Sequence, residues 1–231
     1  MGGGSGIGAA VAARLRAAGT AVLVWDVCGS CEVLCDIADP QQVTAAADTT
    51  LAELGVPTQV TITAGVGHAG MLLNTAPQEW DRVMGINARG VWLAMRALAR
   101  PMLDAGGGSI VATSSVSATL VDRSMGIYCA SKAALDMLIR VAAVEWGPHL
   151  RVNGVGPGVT ETPMLELASR DTGWLPRIAG RTALGRLGTA EDIAETILAL
   201  HGMSWVTGQI IPCDGGLSLR SPINPLGDRH G

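Results

Sequence analysis

Tyr128 and Lys132 are the single tyrosine and the single lysine of a 231-residue chain, and they stand four positions apart. The remaining fifteen of its 16 Lys and Arg residues are arginines. A chain that writes nearly every cation as arginine and keeps one lysine is using a compact ammonium of tunable pKa where a planar guanidinium does not serve. Positions i and i+4 of a helix share a face, so phenol and ammonium can converge on one small site. The chemistry open to such a pair is proton transfer. A free phenol ionises near pH ~10, and a neighbouring cation is needed to draw it toward the working range of a general acid or base. The bland alternative is a solvated lysine and a packing tyrosine, and the joint uniqueness of the two residues weighs against it.

A second cluster stands at the start of the chain. Gly2-Gly3-Gly4-Ser5-Gly6-Ile7-Gly8 runs straight into an Ala-rich stretch of helical character that ends at Gly19. Backbone N–H groups at a helix N-terminus can hold a phosphate when no Cβ keeps the ligand away. Such a run is equally a flexible tail if nothing else supports it. The cysteines offer less. Cys28, Cys31, Cys35, Cys129 and Cys213 are odd in number and sit in a chain without secretory features, so reduced thiols are expected. The first three lack a nearby fourth ligand, the four histidines are scattered, and no metal is expected.

The elements that must position these residues alternate. After the first helix, Ala21 to Trp25 reads as a buried strand closed by Asp26, and Val33-Leu34 as a short strand closed by Asp36. Asp39-Pro40 starts a helix that ends at Gly55. Val60 to Thr63 is the next strand, and one long helix is expected from Pro77 to the Gly106-Gly107-Gly108 turn. Ser109 to Thr113 is a strand, Tyr128 to Trp146 lies within a helix, and Val152 to Val155 is a strand. Pro157 to Gly188 is rich in Gly, Pro and Thr and reads as irregular. A helix beginning at Thr189 with Asp192 as its cap, and a strand over Gln209 to Pro212, complete the pattern. The expectation is one domain over residues 1–231, an α/β doubly wound and mainly parallel sheet flanked by helices, with a lid or substrate segment at about 159–188. Binding is then expected at the carboxyl ends of the strands.

Taken together these features resemble the short-chain dehydrogenase/reductase family over nearly the whole chain, which implies a Rossmann-like fold. The opening is similar to the family's T-G-x-x-x-G-x-G, with Met1 at the threonine position and Gly2, Gly6 and Gly8 at the glycines. Asn87 in Ile86-Asn87-Ala88, Ser115 thirteen residues before Tyr128, and Tyr128 and Lys132 match its catalytic set. Ser114 and Ser117 are neighbouring candidates, and spacing alone prefers Ser115. Pro157-Gly158-Val159-Thr160-Glu161-Thr162 resembles its P-G-x-x-x-T, in which Val159 and Thr162 would hold a carboxamide.

The resemblance implies cofactor contacts from Gly2, Gly6, Ile7, Gly8, Asp26, Asp36, Ala64, Gly65, Tyr128, Lys132, Pro157, Gly158, Val159 and Thr162. Asp26 would bind the ribose hydroxyls and repel a 2′-phosphate, so NAD is expected over NADP. Asp36 would reach the adenine, with a strand-end turn as its alternative role. Tyr128 would be the proton-transfer group, Lys132 would assist it and bind the ribose, Ser115 would polarise the substrate oxygen, and Asn87 would position a relay water.

A small alcohol or ketone is the implied substrate, turned over in a homodimer or homotetramer. The net charge of −4, with no Lys/Arg cluster, gives no footprint for nucleic acid or an anionic membrane. No run of 18 apolar residues and no signal peptide is visible, so a cytoplasmic setting is the default. Met164, Leu167, Trp174 and Leu175 point to a largely apolar substrate, or else pack the lid or a subunit contact.

Three departures from the family pattern stand out. No strand precedes the glycine loop, which implies a start further upstream or a rearranged sheet with unpaired groups at roughly 1–3 kcal/mol each. Ile62-Thr63-Ala64-Gly65 replaces Asn-Asn-Ala-Gly and removes polar support from the sheet centre. The stretch from Asp26 to Asp36 is too short for a helix. These keep open a catalytically poor dinucleotide-binding sensor or scaffold and, more distantly, a sugar-nucleotide epimerase.

Overall fold

A computed structural model of the protein describes residues 1–168 and 173–219. Helix α1 (Gly6–Ala17) leaves the glycine run directly, and Gly19, at φ 77°, supplies the left-handed residue past its end. Strands β1 (Trp25–Asp26) and β2 (Val33–Leu34) pair in parallel. Helix α2 (Pro40–Glu53) starts where the Asp39 carboxylate accepts from the amides of Gln41 and Gln42. Then come β3 (Gln59–Ile62), α3 (Pro77–Met84), α4 (Val91–Asp104), β4 (Gly108–Thr113), α5 (Gly126–Trp146) and β5 (Leu150–Pro157). Helices α6 (Pro163–Ala168), α7 (Trp174–Arg181) and α8 (Ala190–Gly202) lead to β6 (Ile210–Cys213). The expected start of α8 is a reciprocal cap, with Thr189 Oγ1 accepting from Asp192 N and the Asp192 carboxylate accepting from Thr189 N.

Strands β3, β4, β5 and β6 lie in that order, all parallel, with Ile110 between Val60 and Val152 in register. Their side chains alternate between two cores. Ile110 and Val152 pack with Leu98 and Met102 of α4 and with Leu135 and Ile139 of α5. Val111 and Val155 pack on the opposite face with Val11 of α1 and with Ile193 and Ile197 of α8. Helices therefore cover both faces of the sheet, as the doubly wound expectation requires. Among the described residues no helix is long and apolar enough to cross a membrane.

Three expectations need correction. The strand read over Ala21 to Trp25 contracts to Trp25–Asp26, with Val24 O still accepting from Glu32 N and Val33 N. The sheet is instead split into β1-β2 and β3-β4-β5-β6. The two pieces face each other across an open cavity of about 400 Å³, lined among others by Val22, Val24, Val60 and Thr61. At its end Met1 and Gly2 bridge the pieces. The Met1 amine donates to Thr61 O (2.9 Å), Thr63 N donates to Met1 O (2.9 Å), and Gly2 N donates to Trp25 O (2.8 Å).

The second correction concerns the long helix from Pro77, which is interrupted by a π-helical turn at Gly85–Gly90. The third concerns the lid, which holds α6 and α7 rather than irregular chain alone. Residues 169–172, the side chain of Leu167 and the C-terminal His230 lie outside the described part.

Candidate active site

Helix α5 sets Tyr128 and Lys132 on one face, against the carboxyl end of β4. Lys132 is 4% exposed, its Nζ donates to Thr113 O at 2.9 Å, and it lies 5.9 Å from the centre of the Tyr128 ring. Burial lowers its pKa to about 8, with the Asp136 carboxylate working in the opposite direction. At neutral pH the side chain is therefore still mostly an ammonium. For Tyr128 burial again dominates and raises the pKa, while a hydrogen bond with the Ser115 hydroxyl lowers it. The field expected to draw the phenol down is that of Lys132 together with an oxidised nicotinamide.

The three neighbouring serines are separated by their partners. Ser114 Oγ donates to Asp136 Oδ1 in a short bond, and Ser117 Oγ donates to Asp122 Oδ2 at 3.0 Å. Ser115, extended at φ −166° and ψ 154°, caps the following turn by accepting from Ser117 N and turns its hydroxyl to the phenol.

Asn87 is fully buried in the π-helical turn, a distortion often found where a helix carries function. Its Oδ1 accepts from Val66 N (2.8 Å), and its Nδ2 donates to Val66 O (2.8 Å) and Ser131 Oγ (3.0 Å). These bonds tie the chain after β3 to α5. A Cβ on Gly65 would sit 3.3 Å from Asn87 Oδ1 and 3.4 Å from Lys132 Nζ, so glycine is what lets that chain lie against both.

The glycine run forms a cradle. A Cβ on Gly8 would come within 2.1 Å of Gly2 O, and one on Gly2, at φ 72°, within 2.4 Å of Ala64 N. No side chain caps α1, whose first amides remain open to an anion. Asp26, with Oδ2 accepting from Gly4 N and Oδ1 from Val27 N, holds a carboxylate beside the run. Thr162 stands over it, with Cγ2 3.5 Å from a Cβ on Gly6. Pro157 ends β5 at this rim with Gly158 next to it, and Val159 O accepts from Gly188 N. Ile7 packs partly into the core below. These residues fit a pyrophosphate and its flanking riboses.

Asp36 stands just past the end of β2 and is partly exposed. Its Oδ1 accepts from Ala38 N, the bond of a strand-end turn. Thr63 corrects another expectation, since its hydroxyl reaches Met1 O and Gly2 O and restores polar support to the sheet centre. Sequence reasoning missed Thr113, which acts through a carbonyl that residue type does not reveal. It also missed Asp136, although the i+4 spacing that found Lys132 leads to it. Among the described residues no group of three or more His, Cys, Asp or Glu side chains is arranged for a metal ion, and all five cysteines are free.

A doubly wound parallel sheet, a glycine cradle opening its first helix and a phenol beside a buried ammonium above its carboxyl edge define a dinucleotide-binding oxidoreductase. Comparison with known proteins narrows the class. A family model described as enoyl-(acyl carrier protein) reductase matches residues 2–218. The short-chain reductase NovJ of Streptomyces niveus is 36% identical, over 93% of this chain and 91% of its own. Ligand-free aldohexose dehydrogenase of Thermoplasma acidophilum superposes with a TM-score of 0.92 at 28% identity, over 96% of this chain and 94% of that one. A gluconate 5-dehydrogenase from Burkholderia cenocepacia J2315, in complex with NADP and tartrate, gives 0.90 at 28%, over 96% and 94%. The chain belongs to the short-chain dehydrogenase/reductase family. It is an NAD(P)-dependent oxidoreductase acting on CH–OH groups of small alcohols or ketones.

Proposed function

We propose that the chain uses NAD to interconvert a secondary alcohol and its ketone, with Tyr128 moving the proton. The observation that carries this reading is the convergence of Ser115, Tyr128 and Lys132 at the end of β4. A bound nicotinamide supplies the hydride acceptor in oxidation and the donor in reduction. Tyr128 Oη takes the proton from the hydroxyl of the alcohol, or returns it to the carbonyl oxygen. Lys132 favours the phenolate by its charge and binds the ribose. Ser115 donates to the substrate oxygen and polarises it. Asn87 holds the chain after β3 in place and orders a relay water toward Lys132.

The carboxylate of Asp26 beside the glycine cradle supports NAD over NADP. Met164, 42% exposed and near Gly67, together with half-buried Trp174 and Leu175, supports a lid over an apolar substrate. Met137, Val141 and Val144 form an exposed stripe on α5, which supports a homodimer or homotetramer of this single-domain chain. Tyr128→Phe removes only the proton-transfer group and tests the core of the reading. Turnover should fall by roughly 10²–10⁴-fold while NAD(H) still binds. Near-normal turnover on an accepted alcohol would overturn it.

A further inference from the structure

Asp136 is a buried carboxylate that the chemistry above leaves unused. It is 4% exposed and sits one turn beyond Lys132 on the same face of α5. Its Oδ1 accepts from the hydroxyl of Ser114, itself 2% exposed. On the preceding turn Lys132 Nζ donates to Thr113 O. Two successive turns of α5 thus hold the two residues that precede Ser115, one by the ammonium and the next by the carboxylate. A neutral amide would accept the Ser114 hydrogen bond equally well, so that bond does not explain why a charge is buried here. Taking a carboxylate out of water costs several kcal/mol unless an opposite charge compensates it. Burial pushes the Asp136 carboxyl above the usual carboxylate range, and the Ser114 hydroxyl and two cations pull the other way. Arg140 is exposed on the solvent side, and Lys132 is buried on the side of the site.

We propose that Asp136 is a positioning residue of this active site: ionised, it is the counter-charge that keeps buried Lys132 an ammonium, and through Ser114 it fixes the strand end that presents Ser115. The proposal rests on the reading of Tyr128 and Lys132 as the proton-transfer pair. Lys132 is faced by the Tyr128 ring and Asp136 from its own helix, by the neutral Thr113 carbonyl from β4, and by neutral Gly65 and Asn87 from beyond β3. Asp136 is faced by Ser114 from beyond β4 and by Lys132 and Arg140 from its own helix.

The single lysine makes a direct test possible. Protein labelled with ¹³Cε-lysine gives one lysine side-chain resonance, whose titration reads Lys132 without turnover. In the wild type the midpoint is expected at about 8. In Asp136→Asn it should fall by roughly one unit, the size of effect a nearby opposite charge exerts, and the upper pH limit of turnover should fall with it. Asp136→Glu keeps the charge and should restore most of the midpoint. Ser114→Ala keeps the charge but frees the strand end, so its midpoint should hold while kcat drops. If Asp136→Asn does not fold, Asp136→Ser carries the same measurement. An unchanged lysine midpoint in a folded neutral variant overturns the proposal. Failure of the underlying reading would look different, as an active Tyr128→Phe enzyme whose lysine titrates as before.

Discussion

His201, in the last turn of α8, offers a measurable link between burial and pH. Its ring is 5% exposed and spans the sheet, with Nε2 2.9 Å from Thr61 Oγ1 and Nδ1 3.1 Å from Ser109 Oγ. Burial lowers its pKa to about 4 from 6.5, and the Arg151 guanidinium, bonded to the carbonyls of Leu200, His201, Met203 and Val206, pushes the same way. Because the folded pKa lies below the unfolded one, the neutral ring is the folded form. Its contribution is complete above pH 6.5 and is lost as pH falls toward 4. The full shift corresponds to about 3 kcal/mol at 1.36 kcal/mol per unit, most of which is gone by roughly pH 4.5. His201→Gln keeps one donor and one acceptor for the two hydroxyls but cannot titrate. Urea unfolding of both proteins near pH ~7.5 and ~4.5 should show the wild type losing about 2–3 kcal/mol more than the variant. Parallel losses would refute the reasoning.

Other outcomes follow from the cradle and the pair. Asp26→Asn should raise the affinity for NADP relative to NAD by about tenfold or more, measured by titrating both cofactors, since it removes a negative charge facing the 2′-phosphate. Gly8→Ala places a Cβ 2.1 Å from Gly2 O and 2.5 Å from Thr63 Oγ1, so dinucleotide binding should be largely lost and the melting temperature should drop. Lys132→Arg keeps the charge but puts a planar fork where a compact ammonium fits, and kcat should fall by about 10²-fold. Combined with Tyr128→Phe, the Lys132→Arg loss should be far from additive, since both act on one proton transfer.

Much of the fold is legible because it is local. Asp39 with Pro40, and Thr189 with Asp192, start α2 and α8 where their side chains can cap. The apolar stretches of β4 and β5 are buried on both faces and read as continuous strands. What escapes the sequence depends on distant partners. Ala21 to Leu23 have strand character, but only a neighbour makes a strand. The π-helical turn at Gly85 depends on how Asn87 reaches Val66, which no helical period encodes. In the site, Tyr128 and Lys132 are visible by their rarity. Ser115 is preferred in the sequence by its spacing to Tyr128, and the structure adds that carboxylates occupy the hydroxyls of Ser114 and Ser117.

The divided sheet also bears on how the molecule opens. Strand β4 is hydrogen-bonded on both sides, whereas the amides of Ala21, Val22 and Leu23 bond no backbone carbonyl among the described residues. Hydrogen exchange should therefore separate two leaves, the central one protected until global unfolding and the smaller one released by local opening. The glycine cradle hangs on both, with Gly2 N on Trp25 O and Gly2 O on the hydroxyl of Thr63. A ligand that grips the cradle thereby clamps the leaves together. Cofactor affinity and the rigidity of the sheet then become a single linked quantity, and whatever loosens the hinge between the leaves is felt as weaker binding.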